Sequence, residues 1–227
     1  MQIGVGSLVQ RCHIHNCGAA GISIESTGAA LDNFLKNDGS NDFTVGIDLR
    51  GSGSIAENNV ISVDGSSIGI RAGNNSSQII KNNSIYSSGG TGDGIVISTS
   101  RRDVTVENNI VEGFSGVGGE GLNLPASTSL ILYGNNKYYN NATNETLTGD
   151  IYINLGNNAA LGASPFTNPA GDDFSVSTAV KAGAYPSSFK GSSTNQYLDV
   201  GAVQRQEAGG KGGGIMVSGG VAPRWFF

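Results

Sequence analysis

The chain has 227 residues, of which 37% are hydrophobic and only 14% are charged, a composition that suits one well-buried domain. Its net charge of -5 argues against nucleic acid as a partner, because such binding depends on Lys and Arg reaching phosphates. No apolar run approaches the roughly 20 residues of a membrane-spanning helix, and residues 1–5 lack a charged leader. We therefore expect no membrane span, and either a chain that is not secreted by the usual route or one whose leader has been removed.

Cysteine and histidine occur together near the start of the chain, where Cys12 and Cys17 flank His13 and His15. Thiolates and imidazoles are the ligands that zinc prefers. In an extended strand, however, Cys12 and the two histidines lie on opposite faces, so the four ligands would not converge. The sequence predicts no metal site here, and small buried thiols or a local disulfide across the corner instead.

One sequence unit recurs along most of the chain. Each unit has a short apolar strand that ends in an Asn pair, at 58–59, 82–83 and 108–109, and about ten residues later a glycine that opens an alternating apolar strand. Gly69, Gly94 and Gly121 are separated by 25 and 27 residues, and the Asn pairs by 24 and 26. Short period-2 strands that repeat at this interval are typical of a solenoid.

The repeat extends in both directions. Backward it reaches Gly46 and Gly21, and forward it reaches Asp150, where aspartate takes the place of the glycine. Six coils are therefore predicted, from about Ser7 to about Ile153.

Two rows of the predicted solenoid have a structural role. Ile70, Ile95 and Leu122 should point inward and stack on one another, with strands of successive coils about 4.8 Å apart. The repeated asparagine tolerates left-handed backbone at a sharp corner, and its amide can bond to the turn above or below. We interpret the second residue of each pair as an internal ladder, formed by Asn59, Asn83 and Asn109.

The x-Asn-Asn-x-apolar turn and the Gly-Ile-x-Ile strand resemble those of the right-handed parallel β-helix of the pectin-lyase-like family. The resemblance implies an all-β solenoid over residues 1–156. It says little about activity, since that fold carries lyases, hydrolases, adhesins and phage spikes. Family members usually cover the first coil with an amphipathic helix, and residues 1–6 show no such pattern, so a partner subunit or a preceding segment is expected there.

The family's enzymes imply a test for an active site. Polygalacturonase-like members carry Asn-Thr-Asp, Asp-Asp, Gly-His-Gly and Arg-Ile-Lys sets, of which only one pair, Asp172 with Asp173, is present, and it lies outside the repeat. Asp48 and Arg71 occupy the same strand position on neighbouring coils and are expected to form an outward ion pair. No catalytic, cofactor-binding or metal-binding residue is predicted.

Three polar loops, at 36–44, 87–93 and 114–120, lie between an Asn corner and a glycine strand and should project from one side of the rod. Loops on a rigid scaffold are common functional sites. Tyr86, Phe114 and Tyr133 are among the few aromatic residues of the repeat that could line a glycan groove.

After Ile153 the repeat fades. Residues 177–183 followed by 197–204 resemble the ending of many β-helix proteins of bacteria and environmental phages, which close with an Asp-apolar-Gly-Ala strand. The resemblance implies an irregular C-terminal cap over residues 157–207 in which Asp199 bonds to backbone. Residues 208–214 form a Gly-rich linker. The extended tail 215–227 holds the chain's only Trp and ends on two Phe residues. An aromatic segment on a tether favours docking into a partner, or else against its own rod; its docking residues would be Ile215, Met216, Val217, Trp225, Phe226 and Phe227.

The leading hypothesis is a non-enzymatic structural component of an extracellular assembly, and more specifically a phage virion protein that contacts other subunits. Homotrimers are common for such proteins, but no feature of the sequence sets the number. The alternative is a β-helix protein that binds or degrades a surface polysaccharide with its side loops.

Overall fold

A computed structural model describes residues 2–3, 6–37, 39, 42–73, 76–98, 103–124, 130–148, 152–176 and 201–202. The described residues form short strands and one 3-10 helix, Pro169–Gly171. In chain order the strands are β1 (Gln2–Ile3), β2 (Ser7–Gln10), β3 (His13–His15), β4 (Ala20–Ile24), β5 (Gly28–Leu31), β6 (Phe34–Lys36), β7 (Val45–Leu49), β8 (Ile55–Glu57), β9 (Val60–Val63), β10 (Ile68–Ala72), β11 (Ile79–Lys81), β12 (Ser84–Ser87), β13 (Asp93–Ile97), β14 (Val104–Glu107), β15 (Ile110–Glu112), β16 (Glu120–Leu124), β17 (Ile131–Gly134), β18 (Lys137–Tyr139), β19 (Thr143–Leu147), β20 (Tyr152–Asn154), β21 (Ala159–Ala160), β22 (Phe166–Asn168) and β23 (Asp173–Val176).

The strands wind into a parallel solenoid with three sides. The first sheet contains β1, β4, β7, β10, β13, β16 and β19, and the second contains β2, β5, β8, β11, β14, β17 and β20. The third contains β3, β6, β9, β12, β15, β18 and β21, while β22 and β23 form a separate antiparallel pair. Each turn of the chain crosses the three sheets in the same order, which confirms the all-β parallel solenoid predicted from the repeat.

The core is a set of stacked apolar columns. Ile70 pairs with Ile95, and Ile95 with Leu122, and all three side chains are buried. Because the columns contain one residue from every coil, each coil buries its apolar face only against its neighbours. The inward positions predicted from the alternating strands are therefore the ones that the structure places in the core.

The repeated glycine is required where successive coils approach each other most closely. A Cβ on Gly69 would lie 2.5 Å from the carbonyl oxygen of Gly94, and one on Gly94 would lie 2.6 Å from that of Gly121. The same clash is found at Gly21 and Gly46. Because glycine has no Cβ, the carbonyl of the next coil can approach this position, and the neighbouring strands stay close enough to form the hydrogen bonds of the sheet.

The expected glycine strand at Asp150 is wrong. The structure pairs Leu122 with Glu145 and Leu124 with Leu147, so the last strand of the first sheet is β19, and Tyr152 lies in the second sheet opposite Ile131. Asn144 takes the glycine's place, and β19 is mostly polar, with Glu145 at an inward position. A polar strand gives no alternating apolar signal, which explains the wrong assignment.

The segment after the coils follows the side of the rod. The amide of Leu161 donates to the carbonyl of Tyr138 on β18, and Phe174 reaches Phe34 on β6 with ring centroids 6.0 Å apart. We call residues 161–176 the return segment. Residues 159–160 of the expected cap form the end strand of the third sheet, and the return segment then lies along that sheet, from its last coils toward its first. Asp199 lies outside the described residues.

Replacement of Gly94 by alanine is expected to lower the free energy of unfolding by about 3 kcal/mol, because the new methyl group overlaps Val111 and the carbonyl of Gly121. Urea unfolding followed by circular dichroism measures the change. Gly162→Ala is the control, since a Cβ there meets nothing within 4 Å. Equal stability of the two variants would contradict the close approach at Gly94.

Candidate functional site

Asparagine side chains form a continuous ladder inside the corner between the second and third sheets. The Oδ1 atom of Asn83 accepts from both the backbone N–H and the Nδ2 of Asn59, each at 3.0 Å. Asn83 in turn donates the same two bonds to Oδ1 of Asn109, and its Nδ2 also donates to the carbonyl of Ala56. Asn33, Asn136 and Asn158 extend the ladder at both ends. The rungs from Asn33 to Asn136 are buried, and each is hydrogen-bonded, which is what makes buried amides tolerable.

The two residues of each Asn pair have different tasks. The first has left-handed backbone, with φ of 58° at Asn58, 55° at Asn82 and 57° at Asn108. The second, as described, bonds to the neighbouring coils. In the second coil Asp32 takes the first position, at φ 54°. Asparagine tolerates this backbone better than most residues, so the pair is explained without a ligand.

Asn83→Ala is expected to cost about 3 kcal/mol of unfolding free energy, because it leaves the N–H and Nδ2 of Asn59 and the carbonyl of Ala56 without their partner. The matched control is Asn158→Ala at the half-buried end of the ladder, which removes two bonds from Asn136 and one long bond to Asn154. Thermal unfolding of both variants gives the comparison. A smaller loss at Asn83 than at Asn158 would contradict an energetic role for the ladder.

The outer face of the first sheet carries a network of charges. Asp48 accepts two bonds from Arg71, at 3.0 and 2.5 Å, and one from Arg50 at 2.7 Å. Arg50 also reaches Glu25, which accepts from Ser23. Asp48 and Arg71 were expected to form an outward ion pair, and the structure places them so. The carboxylate of Asp48 is nevertheless buried, because the guanidinium groups of Arg50 and Arg71 cover it. Burial acts to raise the pKa of Asp48, and the two arginines outweigh it and lower that pKa.

The outer face of the third sheet is covered by the return segment. Phe166 and Phe174 pack on Phe34, Val60 and Ile110 in a second apolar cluster outside the solenoid. Residues 201–202 also contact this face, where the backbone N–H of Ala202 donates to the hydroxyl of Ser84 on β12. This side of the rod is therefore occupied by the chain itself.

Two polar contacts hold the return segment. Lys36 forms an ion pair with Asp172 at 2.6 Å, and the hydroxyl of Ser164 lies 3.0 and 2.9 Å from the two carboxylate oxygens of Glu112. Burial raises the pKa of Glu112 from 4.5 to about 6, and the bond from Ser164 offsets only part of that effect. The carboxyl is therefore a group whose protonation changes in mildly acidic solution.

The stability of the folded chain should depend on the protonation of Glu112. Its pKa is higher in the folded chain than in the unfolded chain, so the folded state binds the proton more tightly, and the free energy of unfolding should increase by about 1 kcal/mol as pH falls from 7.5 to 5. Burial raises the pKa of Asp93 and Glu145 and gives the same sign, while the lowered pKa of His13 gives the opposite sign.

Glu112→Gln isolates this contribution, since the amide keeps a group that can bond to Ser164 but does not titrate. Urea unfolding of both proteins at pH 7.5 and pH 5 measures it. The difference in stability between the two proteins should change with pH in the stated direction, and identical pH dependence would contradict the assignment.

The candidate acid pair is engaged in structural contacts. Asp172 is the residue that pairs with Lys36, and Asp173 accepts from the backbone N–H and hydroxyl of Ser175 at 3.0 and 2.6 Å. Asp172 directly follows the 3-10 helix of the return segment, with φ 63°, and its ion pair holds this turn against Lys36 of β6. The contact of Asp173 is local to the return segment.

The aromatic residues considered for a glycan groove do not line one. Phe114 is fully buried in the core, Tyr133 is 4% exposed, and Tyr86 packs on Phe174 of the return segment. The three polar loops do lie at one corner, between the third and first sheets. They also stack on each other, as when the amide of Gly116 donates to the carbonyl of Gly90. The structure places no exposed aromatic platform at this corner among the residues it describes.

The outer face of the second sheet carries an apolar row, which we define as the residues that pair successively from β2 to β20. One residue of each strand belongs to it, and six of the seven are apolar. Its members are Leu8, Ala29, Ile55, Ile79, Thr105, Leu132 and Ile153. Those at the ends are 56% and 47% exposed, and those between are half-buried by their neighbours in the row. In the described chain no segment packs over this row as the return segment packs over the third sheet.

The Cys and His residues near the start do not form a metal site. His13 and His15 lie on the same outer face, with ring centroids 4.0 Å apart, whereas Cys12 is half-buried and Cys17 is exposed. Both thiols are free, so the two cysteines form no local disulfide; Cys12 is partly buried against the core, whereas Cys17 is exposed and is not the buried thiol that was expected. Within the described ranges no three His, Cys, Asp or Glu side chains are grouped to hold a metal ion.

The remaining sequence predictions concern the linker and the tail. Residues 208–214, and Ile215 to Phe227 with them, lie outside the described residues. In the part of the chain that is described, no helix is long and apolar enough to cross a membrane.

Comparison with known proteins agrees with the stacked geometry. A family model described as "Right handed beta helix region" matches residues 3–161. The chain belongs to the right-handed β-helix family. The matched residues cover the three parallel sheets from β1 to β21, so the rod as a whole is a right-handed β-helix.

Individual relatives add little to the family. No curated protein matches this β-helix chain. A solved structure titled "Glycoside hydrolase" matches at a TM-score of 0.48 and 11% identity, covering 70% of this chain and 33% of that one. The β-helix chain thus spans about a third of that protein's length.

Two features of the β-helix faces were missed from the sequence. The apolar row was hidden because its residues sit beside inward ones, as in Ile79 with Ile80 and Ile131 with Leu132. Consecutive apolar residues in a strand that should alternate were the available signal. The contact between Glu112 and Ser164 joins residues 52 positions apart and has no local signal.

Proposed function

We propose that the chain is a non-enzymatic structural component of an extracellular assembly. The observation that carries the proposal is the apolar row, which runs along the whole second sheet. A contiguous apolar patch on the surface of a soluble protein is often a site of interaction with another protein. The first sheet carries paired charges around Asp48, and the return segment covers the third sheet, so among the described residues the second sheet is the face left for a neighbour.

A stiff rod suits such a role. Its coils are held by ladder bonds at one corner and by close glycine contacts in the first sheet, both of which repeat in every central coil. The described coils contain no hinge, so a force applied to one face of the rod is carried along its length. This is the mechanical property that a virion spike or capsid decoration requires.

The more specific proposal is a phage virion protein. Its support is the likeness of residues 177–183 and 197–204 to the endings of phage-encoded β-helices, together with the aromatic tail at 215–227 after a glycine linker. In this proposal the tail holds the rod to a neighbouring subunit. Aromatic side chains are frequent anchors in such contacts.

Removal of the tail tests this proposal. The full-length chain is expected to self-associate in light-scattering measurements, and a chain that ends at Ala208 is expected to have a lower mass at the same concentration, because it has lost the six apolar docking residues. Equal masses would contradict a role of the tail in assembly.

A screen with acidic polysaccharides tests the non-enzymatic part of the proposal. No release of reducing ends or unsaturated products is expected. Turnover that vanishes when the loop carboxylates are replaced would overturn the structural role in favour of polysaccharide degradation.

A further inference from the structure

The length and spacing of the apolar row indicate which partner can pack against it. Its seven residues follow the strand spacing of about 4.8 Å, so the row is about 30 Å long and straight along the rod. A surface with that spacing is matched in length and period by an identical row. From this we infer that a second copy of this chain packs against the apolar row, with the two rods parallel and in register. The inference rests on the proposed structural function and names the partner.

The residues beside the apolar row set the direction. A second outward row on the same sheet contains Leu31, Glu57, Lys81 and Glu107, and Lys81 forms an ion pair with Glu107 at 2.7 Å. We call it the charged row. Because it lies to one side of the apolar row, a two-fold axis along the rods puts the two charged rows on opposite sides of the contact.

An antiparallel arrangement would bring the charged rows together. Ile79 lies on β11, the fourth of seven strands, so reversal about this strand places β8 of one copy opposite β14 of the other. Glu57 would then face Glu107, and Lys81 would face Lys81. Like charges opposed at an interface cost affinity, so the charge pattern favours the parallel arrangement.

The area sets the strength of the contact. About 30 Å of length and roughly 10 Å of strand width expose on the order of 300 Å² of planar area on each copy. This lies below the area of specific, stable complexes. The association through this face should therefore be weak and visible at protein concentrations of tens to hundreds of micromolar.

Substitution of the central residue tests the face. In the full-length chain, Ile79→Glu places a carboxylate at the middle of the contact and should raise the dissociation constant at least about tenfold, measured by sedimentation equilibrium. The matched control is Val96→Glu, since Val96 is also half-buried and outward but lies on the first sheet. The control should leave the association unchanged. Equal effects of the two variants, or none for Ile79→Glu, would overturn the inference.

Cross-linking tests direction and register independently of affinity. In a Cys12→Ser and Cys17→Ser background, a bis-thiosulfonate reagent with a two-carbon spacer should cross-link Ile55→Cys between two copies, because it spans the gap left between two sheets whose backbones face each other at about 10 Å. Each thiol displaces one sulfinate from the reagent, so no oxidant is needed. Parallel rods in register bring residue 55 opposite itself. Antiparallel rods bring it opposite residue 105, so that its own counterpart is displaced by a further distance of about 10 Å along the rod, beyond the reach of the short spacer.

A mixture of the Ile55→Cys and Thr105→Cys proteins covers the reversed arrangement. A mixed cross-link without the 55–55 product would overturn the parallel register, and no cross-link in any combination would overturn the second copy as occupant. Neither result depends on polysaccharide turnover. Turnover together with the 55–55 product would instead overturn the structural function and leave the face assignment in place.

Discussion

The fold depends on the vertical hydrogen bonds of the asparagine ladder. Each rung supplies one oxygen that accepts two bonds and one amide nitrogen that donates onward, so a coil is tied to both neighbours at its sharpest corner. A corner of this kind would otherwise leave backbone N–H and carbonyl groups buried without partners. With that corner fixed, the strands that leave it are held in register, and the inward columns of Ile, Val and Leu follow. The glycines of the first sheet serve the same stacking of coils, because they lack the Cβ that would prevent neighbouring coils from lying at the spacing that the ladder sets.

Given this register, every outward position becomes part of a lengthwise row, and the character of each row decides what its face can do. On the first sheet Asp48 lies between two arginines and is neutralised where it stands. On the third sheet Phe34 and Tyr86 are apolar enough to hold the return segment. On the second sheet the row from Leu8 to Ile153 has no comparable cover among the described residues. The functional proposals follow from this asymmetry among three faces that share one backbone pattern.

Most of the solenoid could be predicted from the sequence because its determinants are local and repeated. Gly69, Gly94 and Gly121 indicate the repeating strands of the first sheet, and the Asn pairs indicate the corner between the second and third sheets. The prediction failed where the pattern became polar, at β19, so that Tyr152 and Ile153 were assigned to the first sheet instead of the second. It also failed where contacts join distant residues without a repeat, as between Lys36 and Asp172, which are 136 positions apart. The outer faces were harder to read than the core, because an outward isoleucine and an inward one look alike in a single strand.

The return segment changes how the rod comes apart. In a simple stack each coil contacts only its neighbours, so the ends can fray while the middle remains folded. Here one stretch of chain bridges β18 near one end and β6 near the other, through Leu161 and Phe174. Unfolding of the coil at one end therefore also removes contacts that the return segment makes near the other end. By linking the two ends, the return segment favours a single cooperative unfolding transition over stepwise fraying of the coils.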